Sequence, residues 1–240
     1  MKQLSLFLFI ALFAILLFSG KPAPPRVLVY SKTNGWYHTS IPAGIRALEK
    51  LGAEKGFAVE ATTDSLAFTT KNLRKYKAVI FLNTTGDVLG EREQKAFEKY
   101  IRSGRGFVGI HSACDTEYKW PWYNKLVGAY FLNHPEQQTA RLVITNKDFP
   151  ATRGLPAEWR KWDEWYNFKD ANWGKMNILM TVDEASYKGG KNGDFHPVAW
   201  YHDYDGGRSF YTALGHTDES YTDPLFLDHL AGGISYAMGK

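Results

Sequence analysis

The sequence predicts an α/β fold of doubly wound or flavodoxin-like type: a three-layer sandwich on a mostly parallel central sheet, with an antiparallel C-terminal extension. Three observations predict it. Up to residue 110, short apolar runs alternate with amphipathic helical segments, the pattern of successive β-then-helix passes with right-handed crossovers. Ala78-Val79-Ile80-Phe81-Leu82 is apolar throughout, as in a strand buried on both faces. From Thr139 onward β-rich runs are separated by turn signals at Gly189-Gly190, Asn192-Gly193 and Asp205-Gly206-Gly207, which favour antiparallel pairing.

Arg26 to Tyr30 is the first strand, and a polar loop, Ser31 to Thr39, follows at its C-terminal end. Ser40 reads as an N-cap with Pro42 in the first turn. Ile41, Ile45, Leu48 and Leu51 mark the buried stripe of a helix that ends near Gly52 or Gly56. Phe57 to Ala61 is the second strand, Leu66 to Tyr76 a turn or short helix, and Lys77 to Asn83 the third strand. Gly90 to Ser103 places Ala96, Phe97, Tyr100 and Ile101 on one face of a helix ended by Gly104. The strand Gly106 to Ile110 then stops abruptly in His111-Ser112-Ala113-Cys114-Asp115. Ligands bind beyond the carboxyl ends of strands in such sheets, so chemistry is expected there. A short helix runs through Val127, and residues 128–138 form a loop holding His134. Strands are expected over 139–145, 176–182, 198–202 and 208–214, with Tyr201 to Phe210 as a hairpin. Asp223-Pro224 opens the final helix.

A chain of 240 residues suffices for one domain with a sizeable core, here residues 26–240. The net charge of +4 is dispersed, so no nucleic-acid footprint is present. Met1 to Phe18 pairs Lys2 with an apolar run, the pattern of a secretory signal over residues 1–20, and residues 21–25 read as a Pro-rich spacer. The run is shorter than the roughly 20 residues of a bilayer span. Leu17-Phe18-Ser19-Gly20 is a poor small-x-small cleavage site, so an uncleaved anchor is the alternative to a secreted or periplasmic protein; only in that case is a membrane involved. No Cys follows the run, which excludes a lipoprotein anchor. The lone Cys114 can form no internal disulfide. Nothing in the sequence bears on oligomeric state.

His38, His111 and His216 each lie just beyond a strand of the same expected sheet. Converging there, three imidazoles suit a divalent metal such as Zn, or one general base with two polar binders. No HExxH or CxxC spacing accompanies them. His134 and His196 each precede a proline, which holds the backbone extended and can aim the ring inward; loop hydrogen bonds are the alternative. Carboxylates cluster at Asp115 and Glu117, at Asp163 and Glu164, and at Asp218 and Glu219, and paired acids can divide acid and base roles. Cys114 is a candidate nucleophile with His111 or His216 as base, or else a small buried hydrophobe.

The chain resembles the ThuA-like, trehalose-utilisation family across nearly its whole mature length. The resemblance is carried by Trp36-Tyr37-His38-Thr39-Ser40-Ile41-Pro42, Gly109-Ile110-His111-Ser112-Ala113, Asp115-Thr116-Glu117-Tyr118, Trp120-Pro121-Trp122-Tyr123, Asp163-Glu164-Trp165-Tyr166-Asn167-Phe168, His196-Pro197-Val198-Ala199-Trp200 and Phe210-Tyr211-Thr212-Ala213-Leu214-Gly215-His216. It implies a class I glutamine-amidotransferase-like fold and, for the branch with signal peptides, a description as secreted glycosyl hydrolases. The Gly-Ile-Cys elbow of true amidotransferases is Gly109-Ile110-His111 here, so glutamine hydrolysis is not expected. Their His-x-Glu pair resembles His216-Thr217-Asp218.

The expected function is a secreted carbohydrate-active enzyme, a glycosyl hydrolase or keto-glycoside-processing enzyme of trehalose-utilisation type, with a small-molecule carbohydrate as substrate. His111, His216, Asp115 and Glu164 are the expected catalytic groups. His38, Trp36, Tyr37, Ser112, Trp120, Asp163, Trp165, His134 and His196 are expected around the substrate, and His38, His111 and His216 around any metal. The alternative is a non-catalytic carbohydrate-binding or accessory module serving a sugar dehydrogenase or hydrolase.

Overall fold

The computed structural model describes residues 23–240; the expected leader and the first two spacer residues lie outside them. Strands β1 (Arg26–Tyr30), β2 (Ala58–Thr62), β3 (Ala78–Leu82) and β4 (Gly106–Ile110) alternate with helices α1 (Ile41–Lys55), α2 (Thr70–Leu73) and α3 (Glu91–Arg102), in the predicted order. Helix α4 (Pro121–Val127) leads to β5 (Tyr130–Asn133), β6 (Gln138–Ile144), β7 (Glu158–Asp163), β8 (Asn167–Lys169), β9 (Asn177–Asp183), β10 (Pro197–Tyr204) and β11 (Gly207–Thr212), and α5 (Pro224–Ala237) follows.

The main sheet has the order β2-β1-β3-β4-β11-β10-β9-β6-β7. From β2 to β11 the neighbours are parallel, and from β11 outward they are antiparallel. The mostly parallel sheet with an antiparallel extension is therefore the observed architecture. Its layers follow from side-chain alternation along β3. Phe81 stacks on Phe97 of α3, whereas Leu82 points the other way, against Gly44 of α1, where an added Cβ would lie 3.0 Å from its methyl group. Helices α1 and α5 cover one face, and α3 and α4 the other. The hairpin pairs Tyr201 with Phe210, and its turn uses Asp205 and Gly206, both at positive φ, as a type I′ connection requires.

Three details differ from the expectations. Ser40 occupies the N-cap position of α1, but its hydroxyl makes no cap bond and instead accepts from Asn83 Nδ2 at 3.0 Å. The segment expected as a loop over 128–138 contains β5, which pairs with β8 in a small separate sheet. Strands β7 and the three-residue β8 fall outside the expected strands; the inward positions of β7 hold Lys161 and Asp163 as well as Trp159 and so carry no apolar alternation. Among the described residues no helix is long and apolar enough to cross a membrane.

Candidate functional site

Strand β4, flanked by β3 and β11, ends at His111, whose backbone has φ of +51° before a tight 3-10 turn over His111–Cys114. A left-handed conformation at a non-glycine residue costs on the order of 1–3 kcal/mol and persists only where the surroundings impose it. Here the Tyr211 hydroxyl donates to the His111 carbonyl at 2.7 Å, and Gly109 leaves room for the Tyr211 ring. The imidazole is wholly buried, with Nδ1 2.8 Å from the Ala213 carbonyl oxygen. That oxygen can only accept, so Nδ1 carries the proton and Nε2 presents its lone pair.

The Nε2 atom of His111 lies 3.1 Å from His216 Nδ1 and 3.4 Å from Glu164 Oε2, and the last two are 3.1 Å apart. His38 is buried beside them, its ring edge-on to both His111 and His216. Its Nδ1 sits 3.4 Å from Ser112 Oγ, leaving the other nitrogen for the cluster. Each of the four residues offers a donor atom within 4.8 Å of the others'. Burial, reinforced by His111 and His216, lowers His38 to about 2, so its imidazole is neutral. Burial opposes ionisation of Glu164, but the adjoining His111 and His216 imidazoles, whenever one carries a proton toward it, outweigh that and hold the carboxyl well below the ordinary range. A carboxylate and the His111 Nε2 lone pair thus converge, and either a proton on His216 Nδ1 or a bound cation satisfies them. The spacing fits one metal ion: donors about 2.0–2.1 Å from a tetrahedral centre lie about 3.3–3.4 Å from one another.

Each donor is fixed from behind. The loop bearing His38 is tied to the tip of β3 by Asn34 N donating to Thr85 O at 2.8 Å and Thr85 Oγ1 donating to Trp36 O at 2.8 Å. Asp163, fully buried, accepts from the backbone N–H groups of Glu164 (2.9 Å), Gly215 (3.1 Å) and His216 (3.1 Å) and from Ser220 Oγ (3.2 Å). It braces two donor-bearing segments and does not face a ligand. His134 is half-exposed at the rim, its Nδ1 3.0 Å from the Pro135 carbonyl and 3.2 Å from Glu164 Oε1. Both neighbours only accept, so Nδ1 is protonated and Nε2 is free to take a proton.

Other expected site residues lie elsewhere. Asp115 is not one of the cluster donors and accepts from the Tyr118 hydroxyl at 2.5 Å; burial raises its pKa. Trp36 and Tyr37 stand exposed on the His38 loop. Trp120 and Trp165 are buried, their indoles donating to Glu98 and to the Gln138 carbonyl, so neither is a stacking surface. His196 is buried against Glu184 and the Tyr166 carbonyl, in a structural role. Cys114 is buried with its thiol pushed far up by burial, which removes it as a nucleophile. Asp218 is exposed, and the carboxylate on His216 is Glu164 instead. Glu117 is spent on Val88 N, Leu89 N and Gln94.

Two participants were missed by sequence reasoning. Tyr166 lies under His111 with ring centroids 4.3 Å apart. The Gln137 amide is 2.9 Å from His216 Nε2. The amide nitrogen faces the ring and donates to Nε2, which puts the His216 proton on Nδ1, within reach of Glu164 Oε2; a metal at the cluster would need the amide turned over, its oxygen accepting the Nε2 proton. A lone glutamine in a loop gives no signal in sequence, whereas Tyr166 lies two residues from Glu164.

The model of the family described as "ThuA: Trehalose utilisation" matches residues 26–237. A ThuA-like protein from Bacteroides uniformis ATCC 8492 is similar at 24% identity, covering 90% of this chain and 92% of that one, with a TM-score of 0.76. One from Parabacteroides merdae ATCC 43184 is similar at 22% identity, covering 90% and 91%, with a TM-score of 0.75. The β-galactosidase of Bacillus circulans sp. alkalophilus shares the fold over 31% of its own chain and 90% of this one, at 14% identity and a TM-score of 0.57. No curated protein sequence matches.

Proposed function

Because this chain belongs to the ThuA trehalose-utilisation family, which gives it a sugar-related role, we propose that it is a metal-dependent enzyme cleaving a glycoside or its keto derivative. The centre is a divalent ion of Zn type held by His38, His111, His216 and Glu164. One observation carries the reading: the 3.1–3.4 Å triangle of His111 Nε2, His216 Nδ1 and Glu164 Oε2, with no hydrogen available from His111 to bridge it. Bound there, a divalent ion supplies Lewis acidity that polarises a sugar hydroxyl or carbonyl.

The chain's own residues do the rest. Ala213 fixes the tautomer of His111, Gln137 would fix that of His216 once its amide oxygen is turned to Nε2, and the Glu164 carboxylate is split between the cluster through Oε2 and His134 through Oε1. His134 Nε2 moves the proton, since it is the basic atom at the exposed side of the site. Tyr166 and the burial of His38 and His111 exclude water from beneath. The expected leader would place this reaction outside the cytoplasm.

Elemental mass spectrometry on purified wild type, His111→Ala and Glu164→Gln, each checked by circular dichroism, tests the reading. Near-stoichiometric divalent metal in the wild type, lost in both folded variants, is expected. A wild type that retains no Zn, Mn, Fe, Co or Ni after challenge with each ion would sink it.

A further inference from the structure

We infer that the cleft on the far side of Gln137 is a subsite for a neutral pyranoside, with the Trp162 indole as its platform. The inference rests on the proposed sugar role and goes beyond it by assigning a binding surface and a ligand class. Strand β7 is the edge of the main sheet, and its alternation turns Glu158, Arg160 and Trp162 outward. The Trp162 side chain is 55% exposed and has no aromatic stacking partner among the described residues. An indole held open at the rim of a cleft offers the flat apolar face on which a sugar ring stacks. The position is also rigid, because the next two residues are Asp163, which braces the His216 loop, and the cluster donor Glu164.

The indole lines an open cleft of about 640 Å³ together with Gln137 and Thr217. That volume lies within the range of about 300–1,000 Å³ typical of small-molecule sites. Gln137 belongs both to this cleft and to the cluster, through His216 Nε2 at 2.9 Å. A ring on Trp162 therefore sits one side chain away from the proposed reaction centre. The Thr217 hydroxyl can donate or accept, and the end of the Gln137 amide not engaged by His216 adds one polar contact for a sugar hydroxyl. Charge decides the class. Among the lining residues Arg160 and Lys161 are balanced by Glu219 and Asp223, and Lys161 Nζ already lies 3.3 Å from Asp223. The cleft has no net charge to attract an acidic or a cationic sugar.

Isothermal titration of metal-loaded wild type, Trp162→Ala and Trp162→Phe with trehalose, maltose, cellobiose and lactose tests this, with metal content read on the same preparations. At least one disaccharide should bind the wild type. Trp162→Ala should weaken it at least about tenfold, the loss typical of truncating a contact aromatic, with metal content unchanged, and Trp162→Phe should restore most of the affinity. Equal affinity in Trp162→Ala and wild type overturns the subsite, as does a metal-loaded wild type that binds none of the four. Methyl β-glucuronide binding more tightly than methyl β-glucoside overturns the neutral class. A wild type without metal overturns the metal reading alone, and the Trp162 comparison still decides the subsite.

Discussion

Replacing Asp163 by Asn changes almost no volume and removes one charge, and the structure allows its effect to be sized. The carboxylate receives four hydrogen bonds, three of them from backbone N–H groups in segments that hold cluster donors. An amide keeps one oxygen, toward Glu164 N and His216 N, and presents its NH2 to Gly215 N–H. Two donors then face each other in a fully buried place. One unsatisfied buried donor costs about 1–3 kcal/mol. Lys161, 4.0 Å away and almost completely buried, also loses one of its two carboxylates, which brings the total to about 2–4 kcal/mol. For a domain of this size each kcal/mol moves Tm by about 2–4 °C, so calorimetry should find a fall of about 4–16 °C. The Gly215-His216 turn loses its anchor as well, and metal affinity, read by competition with a chelator of known strength, should weaken at least about tenfold. A fall in Tm of less than about 2 °C with unaltered metal affinity would refute the brace.

Two further outcomes follow from burial. Cys114 in the folded protein should resist iodoacetamide and become reactive only in denaturant, with activity untouched beforehand; rapid alkylation accompanied by inactivation would restore the thiol as a nucleophile. His229 is fully buried, donates from Nδ1 to the Ala151 carbonyl at 2.8 Å, packs on Phe210 and Phe226, and is lowered by burial to about 4. Its folded value lies below the unfolded value of about 6.5, so its contribution to stability is complete above that pH and is lost as pH falls through about 4. Metal-free wild type should lose Tm across that window more steeply than His229→Leu, and equal slopes would show that His229 is not the group that charges.

What sequence could and could not disclose is decided by how each residue is satisfied. The parallel half was legible because β1, β3 and β4 bury both faces, and short apolar runs that end abruptly in polar residues have few other uses. Legibility of the strands carried the histidines with it, since a parallel sheet puts the ends of β1, β4 and β11 on one rim, and His38, His111 and His216 do meet there. Glu164 was legible by its chemistry, as an acid held between aromatics, although the strand before it was not. In Glu158-Trp159-Arg160-Lys161-Trp162-Asp163 the two tryptophans are three apart, so they fall on opposite faces of a strand. The inward positions beside Trp159 are filled by Lys161 and Asp163, which are tolerable because they satisfy each other, Asp223, Ser220 and the backbone of the His216 loop. Those pairings are tertiary, and no local window contains them. Missing β7 therefore also meant misplacing the aromatics of this segment: Trp165, expected to meet a sugar, hydrogen-bonds Gln138 in the core, while Trp162 is exposed. A buried carboxylate that braces the site, Asp163, and an exposed indole beside it, Trp162, are the same departure from ordinary strand patterning, and both lie within two residues of Glu164.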